Sequence, residues 1–181
     1  MAKNMERSFN CIFNNIKKYI VIAILAIITI VWTYKYNYKY HINYTYDAIK
    51  YQSNNINSEI PIKIVVKGVY RKEHGSKDYI FKGDIIVDGE LCYGSGRERN
   101  EYAFNKYNMS SIEINGLTGN LFISDMMEEM SITIFESKQD GGKHFSYNDG
   151  WLISAPCNTR CGAVTISNKL IQKLHKGIVI E

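Results

Sequence analysis

The hydrophobic and polar positions of this chain fall into three successive patterns. From Tyr19 to Tyr34 the residues read YIVIAILAIITIVWTY, apolar all round and without a charge. From Ile60 to about Ser154 short apolar runs alternate with polar residues and are punctuated by Gly, Asp and Asn. From Ala163 to Leu174 the apolar residues recur at intervals of three and four. These patterns predict, in order, a membrane-type helix, a series of strands and an amphipathic helix.

As a helix, the first run rises about 24 Å at ~1.5 Å per residue. That is somewhat short of a hydrocarbon core of about 30 Å, a deficit that snorkelling lysines and slight bilayer thinning can cover. Lys17, Lys18 and Lys35 flank it, and Tyr19, Trp32 and Tyr34 stand at its ends, where amphipathic rings favour the headgroup level. The bulky Trp32–Tyr36 stretch that follows does not suit a signal-peptidase site, and Cys11 precedes the run, as a lipoprotein cysteine would not. An uncleaved signal-anchor is expected; a buried core helix is the competing reading. Lys3, Arg7, Lys17 and Lys18 precede the run, against Lys35 and Lys39 after it. The bias puts residues 1–18 in the cytoplasm and the C-terminal domain outside the cell membrane.

Beyond the anchor, the tyrosines at 34, 36, 38, 40, 44 and 46, with Ile42 completing the alternation, suit a two-faced strand or an aromatic belt. Ile, Lys, Asn and Tyr can all be encoded by A and T alone, however, and residues 47–58 lack a period. Residues 35–58 are therefore expected to be a Tyr-rich juxtamembrane linker, with one domain over residues 59–181.

Within that domain, Ile60–Tyr70 reads as a strand, and Tyr79–Val87, Asp88-Gly89 and Glu90–Tyr93 as a hairpin with a type I′ turn. This register sets Ile86 opposite Leu91 and Ile85 opposite Cys92, with apolar residues on both faces, as if the hairpin were covered on each side. Further strands are expected at Ser111–Asn115, Asn120–Ser124, Ser131–Glu136, His144–Tyr147 and Trp151–Ser154, with Asp140-Gly141-Gly142 as a second hairpin loop. Asn158 or Thr159 would cap a helix of about four to five turns carrying Ala163, Ile166, Leu170 and Leu174, with Gly177 at its C-terminal boundary. The expected class is α+β: a single N-terminal transmembrane helix, then a mainly antiparallel β domain, sandwich or open barrel, closed by one C-terminal amphipathic helix.

Charge narrows the function. The net +4 divides into +5 over residues 1–46 and −1 over residues 47–181. The basicity thus belongs to the membrane flanks, and the domain has no footprint for nucleic acid. The segments GNLFISDMMEEMSITIFES from Gly119, DGWLISAP from Asp149, Arg160 and AVTISNKLI from Ala163 resemble a group of small single-pass membrane-anchored proteins of Gram-positive bacteria. The resemblance spans about 120 residues and implies an anchor, a β-rich domain, an I-S-A-P segment and a closing helix. It implies no activity and no site residues, and Cys157 and Cys161 depart from it.

Those two cysteines are the candidate thiols. In a first helical turn beside Arg160 a thiol can be activated; outside the cell either could bridge to the other or to Cys92; buried, both are simply small core residues. C-x3-C without a second pair is a poor zinc signature, even with His144 and His175 as further donors. Gly94–Arg99 offers a weak anion loop, and Asp125, Glu128 and Glu129 match no calcium loop. His41, His74, His144 and His175 are scattered, and no Ser-His-Asp set, H-E-x-x-H or phosphate loop is present. No catalytic residue, metal or cofactor is therefore assigned. The expectation is a non-enzymatic binding or protection module for an envelope component or partner protein, held in the lipid bilayer through residues 19–34. The alternative is a small envelope enzyme using thiol or redox chemistry at Cys157 or Cys161.

Overall fold

The computed structural model describes residues 17–31, 33, 39–72, 78–137 and 142–181. The chain divides into two units, residues 1–38 and Lys39–Glu181. In the first, residues 17–31 form helix α1, every residue of which is exposed. Among the described residues no helix is long and apolar enough to cross a membrane; Trp32 and Tyr34 of the expected span lie outside them, as do Asp140 and Gly141 of the expected second hairpin loop.

The second unit is a closed antiparallel barrel. Its strands are β1 (Lys39–Gln52), β2 (Ile60–Lys72), β3 (Tyr79–Val87), β4 (Glu90–Gly94), β5 (Glu101–Phe104), β6 (Met109–Ile114), β7 (Leu117–Ile123), β8 (Met130–Ile134) and β11 (Trp151–Ala155). A two-stranded ribbon, β9 (Glu136–Ser137) and β10 (Lys143–His144), stands apart from them. The order is β2-β1-β11-β8-β7-β6-β4-β3, and β3 pairs back onto β2, so eight strands close the wall. β5 lies in line with β4 along β3: it takes Tyr79–Lys82, while β4 takes Ile86 and Val87. Where β3 passes from one to the other, Gly83 faces Gly68 of β2. A Cβ on either would meet the opposing backbone oxygen at 2.3–2.4 Å, so only glycine permits the approach.

Inward-facing residues fill the barrel at alternate positions, as a pleated wall requires. They include Ile42 and Ala48 of β1, Ile62, Ile64 and Val66 of β2, Phe81, Ile85 and Val87 of β3, and Leu121 and Ile123 of β7. One end is plugged by the 3-10 turn Asp125–Met127: Met127 is buried in the core, and the Tyr46 hydroxyl donates to its carbonyl at 3.0 Å. Helix α2 (Arg160–Ile171) lies on the outer wall, packing Ala163, Ile166, Leu170 and Ile171 against Ile49, Tyr51, Leu152 and Phe122. Thr159 is its N-cap, accepting from the Gly162 N–H at 3.3 Å.

Four expectations are corrected. Residues 39–52, read as tether, are the longest strand of the wall, so the compact unit begins at Lys39 rather than residue 59. The sheet is neither a sandwich nor an open barrel, because β2 bonds both β1 and β3 along its length. The β3–β4 hairpin has the expected Ile86–Leu91 pairing, yet only its inner face is covered; Leu91 is 39% exposed. Helix α2 has 12 residues, just over three turns. It stops where Leu174 and His175 both donate to the Ile171 carbonyl, and Gly177 then turns the chain at φ +91°.

Candidate functional site at the barrel mouth

At the end of the barrel opposite the plug, two hairpin turns form lips. Asp88 and Gly89 take positive φ (52° and 85°), as a type I′ turn requires, and Asn115 and Gly116 do the same (48° and 77°). Between these lips and the ends of β1, β8 and β11 the wall encloses a cavity of about 320 Å³. Its floor is aliphatic: Ile62, Val87, Ile114, Ile132, Ile134 and Ile153. Its rim carries Lys50, Asp88, Glu90, Asn115, Leu117 and Thr118.

The rim is chemically mixed. The Lys50 ammonium lies 5.2 Å from the centroid of the Trp151 ring, an approach that holds the long side chain at the mouth. Among the described residues, no ion pair within 4 Å joins Lys50 to Asp88, Glu90 or any other carboxylate. Leu117 is 52% exposed, leaving an apolar lip open to solvent. The described residues that line the cavity include no histidine and no thiol.

The thiols lie elsewhere. Cys157 is half-buried before α2, its thiol donating to the Ser154 carbonyl at 3.0 Å and its N–H to the Asp47 carbonyl at 2.9 Å. Burial pushes this thiol up from its ordinary value, the opposite of activation. Cys161 is exposed in the first turn of α2; Cys92 is buried inside the barrel, pushed up to about 12 by desolvation. All three are free thiols. Cys157 edges a shallow outer groove of about 490 Å³ with Asp47, Lys63 and Asn158, and no histidine or second thiol joins it there.

The Gly94–Arg99 loop closes on itself. The Gly96 N–H donates to the Glu101 carbonyl at 2.8 Å and the Arg97 N–H to the Glu101 carboxylate at 3.2 Å, so these donors are not free for an anion. Glu129 pairs with Lys169 of α2 at 2.7 Å. Among the described residues no group of three or more His, Cys, Asp or Glu is placed to hold a metal ion. His41 and His144 are exposed and His175 stacks edge-on against Tyr147, while His74 lies outside the described residues. The sequence pattern does not reveal the mouth, because Lys50 falls in the aperiodic stretch 47–58. One signal pointed to it: Asn115-Gly116, a hairpin dipeptide as strong as Asp88-Gly89. Set against family models, curated proteins and solved structures, the chain finds no match.

Proposed function

We propose that this protein is a non-enzymatic binding module of the envelope, tethered by residues 19–34 with its N-terminus inside and its barrel outside, and that its occupant enters the barrel mouth. The cavity carries the reading: a concave aliphatic space with a few convergent polar groups is the usual form of a small-ligand site. The closed wall adds weight, because a closed barrel offers no long free edge for a partner to extend. The tether is supported by α1, where Ile22, Leu25, Ile27 and Ile30 are each more than half exposed and so call for an apolar surrounding. It is supported too by the basic N-terminal flank and by the resemblance to membrane-anchored proteins of Gram-positive bacteria.

A photo-reactive residue placed at Leu117 in intact cells tests the site, with Lys106 at the plugged end as control. An adduct at Leu117 and none at Lys106 is expected; equal labelling or none at either sinks the reading. The thiol-enzyme alternative draws on one observation, Cys161 exposed in the first turn of α2. Alkylation of the folded chain across pH 6–9 separates the two readings. The binding module predicts that Cys161 reacts at an ordinary thiol rate and Cys157 more slowly; a fast reaction persisting at pH 6 favours the enzyme.

A further inference from the structure

We propose that the barrel mouth takes a small aliphatic zwitterion, a free branched-chain amino acid or a dipeptide of such residues. The proposal rests on the mouth being a binding site and adds the chemistry of its occupant.

Size sets the first bound. Ligand cavities run from about 300 to 1,000 Å³, so about 320 Å³ suits a small molecule. The floor sets the second. Isoleucines 62, 132 and 153 offer methyl and methylene surface without donors or acceptors, which suits an aliphatic body and leaves sugar hydroxyls unpartnered.

Charge decides between the small aliphatic molecules that remain. Lys50 stands on β1, while Asp88 and Glu90 stand on the β3–β4 lip; β2 intervenes between those strands along the wall. The mouth therefore presents a cation on one side and two carboxylates on another, and among the described residues they form no ion pair with one another. A lone carboxylate, as on a fatty acid, would meet Lys50 but also a rim of net negative charge. A lone amine would meet the carboxylates but also Lys50. A ligand carrying both groups satisfies each side, and at a partly dehydrated rim such pairings are stronger than in open water.

Calorimetry and thermal unfolding of the full chain in detergent micelles provide the test, with leucine and leucyl-leucine as probes. Saturable binding of at least one is expected, and whichever binds more tightly identifies free amino acid or peptide. Leucinamide, which lacks the carboxylate, 4-methylpentanoate, which lacks the ammonium, and glycine, which lacks the aliphatic body, should each bind at least tenfold more weakly. Lys50→Met should weaken leucine tenfold or more and abolish the preference for leucine over leucinamide. Glu90→Gln should erode the preference over 4-methylpentanoate in the same way. Both side chains are at the rim, and circular dichroism verifies that each variant is folded. Absence of binding by both probes, 4-methylpentanoate binding as tightly as leucine, or an unaltered Lys50→Met variant overturns the proposal. If the Leu117 cross-linker still captures an occupant in that event, the ligand class alone fails; if it captures nothing, the mouth fails as a site as well.

Discussion

Tyr51, Ser131, Ser154 and Ser167 bring four hydroxyls into a space between α2 and the barrel wall that solvent does not reach. Ser167 is the hub: its oxygen lies 2.7 Å from Tyr51 and Ser154 and 2.8 Å from Ser131. Deleting the hub takes the shared partner from three buried hydroxyls at once, which costs about 1–3 kcal/mol, whereas deleting the tyrosine hydroxyl leaves three serines still paired and costs about 0.5–1.5 kcal/mol. Ser167→Ala should therefore destabilise the full chain more than Tyr51→Phe in urea unfolding, and the reverse order would show that the cluster is not shared in this way. Burial also sets a pH dependence. Desolvation raises Tyr51 from 10.0 to about 12 and Cys92 from 9.0 to about 12. Between those limits the folded chain holds protons that the unfolded chain has released. The stability these groups contribute is thus complete below pH 9 and lost as pH rises from 9 towards 12. Urea midpoints measured from pH 8 to pH 11 should fall steadily above pH 9, and less steeply in a Cys92→Ala variant; a midpoint that stays level to pH 11 would contradict the assignment.

At the scale of elements, what was legible followed from local chemistry. Asp88-Gly89 announces its own turn, so β3, β4 and the Ile86–Leu91 register could be read directly. The stripe Ala163, Ile166, Leu170 and its Thr159 cap likewise announce α2. β1 was not legible, and the reason is physical. Its first half is one-faced, with Ile42 buried and Tyr44 and Tyr46 half-buried, a pattern that a biased composition imitates. Its second half is covered inside by the barrel and outside by α2, so that Ala48, Ile49 and Tyr51 are all buried and the period of two vanishes. The mouth was hidden with it, because Lys50 belongs to that half. The β2–β3 pairing joins neighbouring strands, but the wall closes only because β1 also pairs with β11, Ile49 opposite Ser154, a contact between distant residues that no local pattern encodes. A fragment of residues 59–181 lacks β1 and with it the bonds that β2 and β11 receive from that strand. It is expected to give no cooperative thermal transition by circular dichroism, whereas residues 39–181 should melt in one step. Cooperative melting of the shorter fragment would mean that β1 is an accessory. In the full chain Leu170→Ala should cost about 2–5 kcal/mol, since this residue of α2 is 1% exposed against the outer wall.

For the whole molecule, the two units differ in the solvent their surfaces suit. The barrel buries its apolar residues within the wall and beneath α2, and residues 47–181 carry a net charge of −1. In α1 the apolar residues from Ile20 to Val31 are exposed on every face, and no period separates them from a polar stripe. A helix that is apolar all round belongs in lipid or in a core. Four basic residues precede this run and two follow within the next five positions, and the proposed orientation rests on that imbalance. A reporter active only outside the cytoplasm, fused after Glu181, is thus expected to be active, and a protease added to intact cells should reach the barrel. A cytoplasm-only reporter active at the same position would reverse the orientation. Placing a charge at the middle of the run isolates the cause. Ala26→Arg carries an insertion penalty of about 2.5–3.5 kcal/mol at a helix centre, against an apolar run that is already short. The variant should therefore leave the membrane fraction in alkaline carbonate extraction while residues 39–181, isolated from it, melt at an unchanged temperature. If the variant stays in the membrane fraction, something other than residues 19–34 holds the protein there.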